Sequence, residues 1–197
     1  GYFSLMCNTT GCNNFAAGKY SLYLNVTGCN NIAQGYCALY NNTASNNFAQ
    51  GYKALVSNTT GSNNISVGYF SLYNNTYGGS NFAQGYKALY CNTSGSNNIA
   101  IGCNALYKNT TGTSNTAIGV QTLYNNNGHW NFASGASSLY GNTTGCNNFA
   151  QGFCALNKNT TGCNNFAQGN KALANNTIGS HNFAQGYNTL YCNTGWH

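Results

Sequence analysis

The sequence predicts an all-β fold, a parallel β-solenoid (β-roll) of twelve coils of about 17 residues. Three observations predict it. Glycine recurs at 1, 18, 35, 51, 68, 85, 102, 119, 135, 152, 169 and 186. A leucine follows each of these glycines four residues later, from Leu5, Leu22 and Leu39 to Leu190. An asparagine precedes the next glycine by four residues in every complete coil, from Asn14, Asn31 and Asn47 to Asn182. The consensus coil reads G-Y-x-A-L-Y-x-N-T-T-G-x-N-N-F-A-Q, and its positions are counted here from one to seventeen. The repeat fills 1–197 as a single domain without linkers.

The period excludes the common helix-pair repeats, which need about 33 residues or more. Gly, Asn and Thr are also poor helix formers. Two short extended segments are expected in each coil, Y-x-A-L-Y and N-F-A-Q-G, each bounded by Asn/Gly/Thr turn chemistry. Alternation along a strand would put Tyr2 and Ser4 on one face and Leu5 on the other. Parity is not carried across the turns, so it does not say which face is inside.

Stacked coils repeat at about 4.8 Å, so identical residues form columns. The Leu column (Leu5, Leu22, Leu39) and the Phe/Ile column (Phe15, Phe48, Phe82) are expected as apolar ladders. The Asn column (Asn14, Asn31, Asn47) is expected to hydrogen-bond to itself, which satisfies amides buried in a turn. Small residues at positions four and sixteen, Ala with Ser66 as the exception at sixteen, imply a thin coil. The step shortens to 16 after Gly35 and Gly119, and the missing residue falls in the N-T-T-G loop, at Asn41–Ala44 and Asn125–Gly128. An exterior loop tolerates such a loss.

The chain has no Asp, Glu or Pro, and its six cations are Lys19, Lys53, Lys87, Lys108, Lys158 and Lys171. Without carboxylates there is no acid/base pair, no Asp-oriented His and no hard-cation cage. No catalytic, cofactor or metal site is expected, and the reading is not an enzyme. The lysines are scattered, whereas a nucleic-acid footprint needs a dense basic stripe. No apolar run approaches the ~18 residues of a membrane span, so no membrane insertion is expected. Ten cysteines in such a chain fit an oxidising compartment.

The phrase Asn98-Ile-Ala-Ile-Gly102 before Ala105-Leu106 resembles a known repeat, as does Asn115-Thr-Ala-Ile-Gly119 followed by Leu123. They are similar to the N-x-A-x-G coils of trimeric autotransporter adhesin heads. They also resemble the N-T-A-x-G…A-L…N-T-T-G repeats of phage and viral tail fibres. The resemblance covers the whole chain. It implies a β-roll rod, often trimeric, used as a spacer or adhesive fibre, with no catalytic residues. This chain departs in its many cysteines, its many sequons, and Phe where those families favour Val or Thr.

Asn-x-Ser/Thr sequons stand at Asn8, Asn25, Asn41, Asn58, Asn64, Asn74, Asn92, Asn109, Asn142, Asn159 and Asn175. All except Asn64 lie at position seven or eight, in the loop expected outside, where a glycan could attach. An Asn/Thr turn ladder would match the same motif by composition alone. Cys12 and Cys29 share a column in adjacent coils, as do Cys146 and Cys163, and stacked Cα atoms at about 4.8 Å lie within disulfide range. Cys29–Cys37 and Cys146–Cys154 are competing pairs. Cys91, Cys103 and Cys192 have no same-column partner in an adjacent coil, and only His129, His181 and His197 could serve a thiol. Tyrosine columns at positions two and six read as stacking or contact between rods, with a platform for sugars as the other reading. A Thr column (Thr9, Thr10, Thr59, Thr60) raises ice binding, although it lies in a loop rather than a strand.

No polar capping coil is evident at either end, and solenoids usually need one. Open ends template stacking. The expectation is therefore a segment or subunit of a long extracellular or cell- or virion-surface fibre, self-associating end to end or laterally. Disulfides and covalent glycans would protect it.

Overall fold

A computed structural model of the chain describes residues 1–193; His197 and the neighbouring Trp196 lie outside the described residues. The fold is an all-β parallel solenoid with no helix among the described residues. Each coil contributes one strand of three residues, beginning with β1 (Phe15–Ala17), β2 (Ile32–Gln34) and β3 (Phe48–Gln50). The series continues through β4 (Ile65–Val67), β5 (Phe82–Gln84), β6 (Ile99–Ile101), β7 (Thr116–Ile118) and β8 (Phe132–Ser134). It closes with β9 (Phe149–Gln151), β10 (Phe166–Gln168) and β11 (Phe183–Gln185). All eleven form a single sheet in sequence order. The register holds each residue against its equivalent one coil on, as in Phe166↔Phe183 and Ala167↔Ala184.

Two expectations are corrected. Eleven strands make about ten full turns, fewer than twelve coils, because the segment that starts at Gly186 adds no strand among the described residues. The second expected strand, Y-x-A-L-Y, is a pair of consecutive β-turns. In coil three these are closed by Ala38 N–H to Gly35 O at 3.3 Å and Asn42 N–H to Leu39 O at 3.2 Å. The residues at positions three and five have positive φ in every coil, for example Lys53 at 53° and Leu55 at 52°. That conformation costs a leucine about 1 kcal/mol or more. Extended alternation is lost with it, so positions four and five both point inward: Ser21 and Leu22 are fully buried, as are Ala38 and Leu39.

The left-handed residues let backbone N–H groups turn alternately toward the two neighbouring coils. Lys53 donates back to Tyr36 O at 2.9 Å, whereas Leu55 donates forward to Ser71 O at 3.1 Å. Phe48 donates forward to Asn64 O and Gly51 back to Gln34 O, both at 2.8 Å. Nearly all of a coil's backbone bonding is therefore with the coils beside it. Gly51 (φ 136°) cannot be replaced, since a Cβ there would meet Gly68 O at 2.4 Å.

The core is one narrow file of Leu from position five and Ala from positions four and sixteen. Ser66 takes the place of Ala at sixteen, and its hydroxyl meets Ser71 across the core, donating to Ser71 O at 3.0 Å. The Phe/Ile column lies on the other side of the sheet. Within each strand the central Ala or Ser faces in and its two neighbours face out, and Phe15 is 52% and Ile65 41% exposed. The expected apolar ladder exists, but it clothes the surface.

Replacing Leu89 by Ala is expected to cost about 3 kcal/mol, because a fully buried file leaves a cavity. Replacing Phe82 by Ala should cost about 1 kcal/mol at a half-exposed site. Denaturant unfolding of the two variants checks the inside and outside assignment.

Candidate functional site

The chemistry-bearing residues fall into five longitudinal arrays: two internal asparagine ladders, a column of polar caps at position twelve, a face of tyrosine and lysine, and the outer face of the sheet.

The first asparagine ladder is at position eight. Asn92 Nδ2 donates to Asn75 Oδ1 at 2.7 Å, Asn109 to Asn92 at 3.0 Å, Asn142 to Asn126 at 2.7 Å and Asn159 to Asn142 at 2.8 Å. Each also closes its own turn, as Asn92 does on Gly95 O at 2.9 Å. The expected ladder at position fourteen is the second. Asn98 N–H donates to Asn81 Oδ1 at 3.0 Å, while Asn81 Nδ2 reaches forward to Gly95 O at 2.9 Å. The two ladders thus meet on one carbonyl per coil. Position eleven is tight, since a Cβ on Gly95 would crowd Asn92 Oδ1, and in the short third coil Ala44 stands there and accepts from both ladders.

This geometry decides where the sequons stand. Asn25, Asn58, Asn92, Asn109, Asn142 and Asn159 at position eight are fully buried, with the side-chain amide engaged. Asn64 is buried in the second ladder. The N-T-T-G loop is therefore exterior only at its two middle residues. Asn41, Asn74 and Asn175 at position seven are half-buried, as is Asn8 in the first coil. The threonines divide likewise. Position nine is tied into a further ladder, with Thr59 Oγ1 donating to Thr76 O at 2.9 Å and Thr160 to Thr177 O at 2.9 Å. Position ten is exposed at Thr10, Thr60, Thr111, Thr144 and Thr161, and it is the residue that the two short coils lack.

At position twelve seven side chains accept the N–H of the same position one coil back. Cys163 N–H donates to Ser180 Oγ at 2.9 Å, Thr113 N–H to His129 Nδ1 at 3.0 Å and Cys146 N–H to Cys163 Sγ at 3.2 Å. All ten cysteines are free thiols. Cys12 and Cys29 come together with their sulfurs 2.6 Å apart. The Cys12 thiol and its own N–H both point at Cys29 Sγ, which lowers the Cys29 pKa and, through the shared proton, raises that of Cys12. Cys37 sits instead at position three beside Tyr36, whose pKa the Cys37 thiol raises.

The turns at positions two, three and six carry the tyrosines. Tyr73, Tyr90, Tyr107, Tyr124 and Tyr140 stack successively at 5.1 to 5.3 Å. Tyr36, Tyr52, Tyr69 and Tyr86 form a second stack at 5.0 to 5.8 Å. Position three bridges them: Phe70 meets Tyr69 at 4.3 Å and Tyr73 at 5.1 Å edge to face, and Lys87 Nζ lies 5.2 Å from the Tyr86 ring and 5.5 Å from that of Tyr90. Lys19, Lys53 and Lys108 also lie over tyrosines, at 5.0 to 5.7 Å. Sequence reasoning read these lysines as scattered. Their shared place in the turns at positions two, three and seven is the signal that would have grouped them.

On the outer sheet face Phe132, Phe149, Phe166 and Phe183 stack in parallel at 4.7 to 4.9 Å. Beside them Gln185 donates to Gln168 at 3.2 Å and Gln168 to Gln151 at 3.1 Å. No protein-family model, curated protein or solved structure matches this chain.

Replacing Asn109 by Ala orphans Asn92 Oδ1 and one N–H of Asn126 inside the rod. The expected loss is about 3 kcal/mol, from two buried groups left without partners. Thermal unfolding checks it, with Thr111→Ala at the exposed neighbouring position as the near-neutral control.

Proposed function

We propose that the chain is a structural element of an extracellular or surface fibre and carries no catalysis. The observation that supports this reading is the unbroken longitudinal bonding. Backbone, Asn, Thr and aromatic columns all run coil to coil along one axis, so material is spent on length and lateral stiffness and little on a concave site. A rod with this bonding suits a filament or a spacer.

In an oxidising compartment, the paired thiols Cys12 and Cys29 are placed to close a ladder disulfide, giving two electrons and two protons to the external oxidant. Cys146 and Cys163 share the same column and register. N-glycans belong at the half-buried position-seven sites Asn41, Asn74 and Asn175. They do not fit the Asn92-type sites, whose nitrogen is already bonded inside the rod. The exposed Phe/Ile column favours a second reading, a shaft of several chains packed side by side, as the likeness to adhesin heads and tail fibres implies.

Cryo-electron microscopy of the native material, with peptide mapping of the same sample, tests both. The expected result is a filament with an axial repeat near 4.8 Å and sugar confined to Asn41, Asn74 and Asn175. Short discrete trimers without filaments would move the assignment to the shaft. Sugar on Asn92 or Asn109 would contradict the placement of the loops.

A further inference from the structure

The outer sheet face differs from the rest of the rod in charge. All six lysines stand at positions two, three and seven: Lys19 at two, Lys53, Lys87 and Lys171 at three, Lys108 and Lys158 at seven. None stands at position fifteen or seventeen, the two columns that point outward from the sheet. Because the chain has no acidic residue, its net charge of +6 has no internal counterweight. Copies of this chain repel one another on every approach that brings the turn faces together. Two long surfaces escape that repulsion, the sheet face and the polar loop face at positions nine to thirteen, and only the sheet face is apolar.

The same face is apolar and regular. Column fifteen runs Phe15, Ile32, Phe48, Ile65, Phe82, Ile99 and on to Phe183, broken only by Thr116. Column seventeen is mostly Gln, with Val67, Ile101 and Ile118 near the middle. Stacked Phe and self-bonded Gln, which this parallel in-register sheet carries from β8 to β11, are the surfaces that interdigitate when two sheets mate about 10 Å apart. Eleven strands of three residues span about 50 by 10 Å at ordinary strand dimensions. Two such faces bury at least about 1,000 Å² in total, the lower bound for a specific interface. An exposed apolar strip of this extent marks a contact site.

We propose that two copies of this chain pair face to face through columns fifteen and seventeen, with the Tyr/Lys turns outward on both sides. The pairing deepens the fibre reading and rests on it: it supplies that fibre's lateral contact. It is self-complementary, since each copy offers the same two columns. It also differs from a three-chain shaft, because each sheet face is fully used by one partner.

The test is sedimentation equilibrium of the full chain in the presence of a thiol reductant, so that no intermolecular disulfide contributes. The wild-type chain should weigh about twice 20.9 kDa. Gln84→Lys together with Gln151→Lys places charge on two exposed positions of the face and should weaken the pair at least tenfold. Gln50→Lys with Gln168→Lys is the second pair of variants, should the first fail to fold as judged by circular dichroism. Lys53→Gln on the turn face should leave the pair intact. A monomeric wild type, a mass of three copies, or a dimer indifferent to both Gln→Lys pairs overturns the proposal. Filaments formed by a chain that is monomeric in this test would sink the pairing and leave the fibre reading standing. Dimers without filaments would do the reverse.

Discussion

A coil of seventeen residues cannot satisfy its own polar groups. Within one coil, the recurrent internal backbone bonds are the two turn closures, as at Ala38 and Asn42. The rest of the N–H and C=O groups point along the axis, and they find partners only if another coil lies in register above or below. Buried polar groups without partners cost more than the hydrogen bonds gain. Stacking in register is thus the constraint on which everything else depends, and the two asparagine ladders extend it from the backbone to the side chains. At Gly95 both ladders end on one carbonyl, so a shift of register by a single residue would break them together. The solenoid is held in phase by amides and filled by leucines.

The ladders also explain how small the core can be. With Leu at position five, Ala at four and sixteen, and Asn at eight and fourteen, the cross-section is full. Nothing as large as phenylalanine fits, and the most hydrophobic column of the repeat is displaced to the outside. Its exposure follows from the lack of interior volume, and the absence of charge beside it lets it serve as a contact surface.

Much of this was legible in the sequence. The period, the leucine file and the ladder at Asn14, Asn31 and Asn47 follow from recurrence alone, because identical residues at a fixed step must stack. The turn segment was not legible. A leucine with φ near 50° runs against every propensity, and only the axial bonds of its neighbours hold it there. That one conformation turned Y-x-A-L-Y from a strand into turns and put positions four and five on the same side. Asn92 and its equivalents were misplaced for a related reason: a sequon and an interior Asn ladder share the same letters. Hydrophobicity likewise could not tell Leu89 from Phe82, since volume, and not polarity, decides which of them is inside.

The amides of the position-eight ladder all point one way. Each Nδ2 donates to the coil nearer the N-terminus, and among the described residues the series ends on Asn176 Oδ1, a buried acceptor with no donor. Parallel amide dipoles add along a stack as they do along a helix. The rod therefore has a vectorial polarity, with donors facing one direction and acceptors the other. Two such rods laid side by side in opposite directions cancel their fields, whereas rods laid in the same direction reinforce them. An assembly of these chains has to choose between an antiparallel bundle without a net dipole and a polar one whose two ends differ electrically.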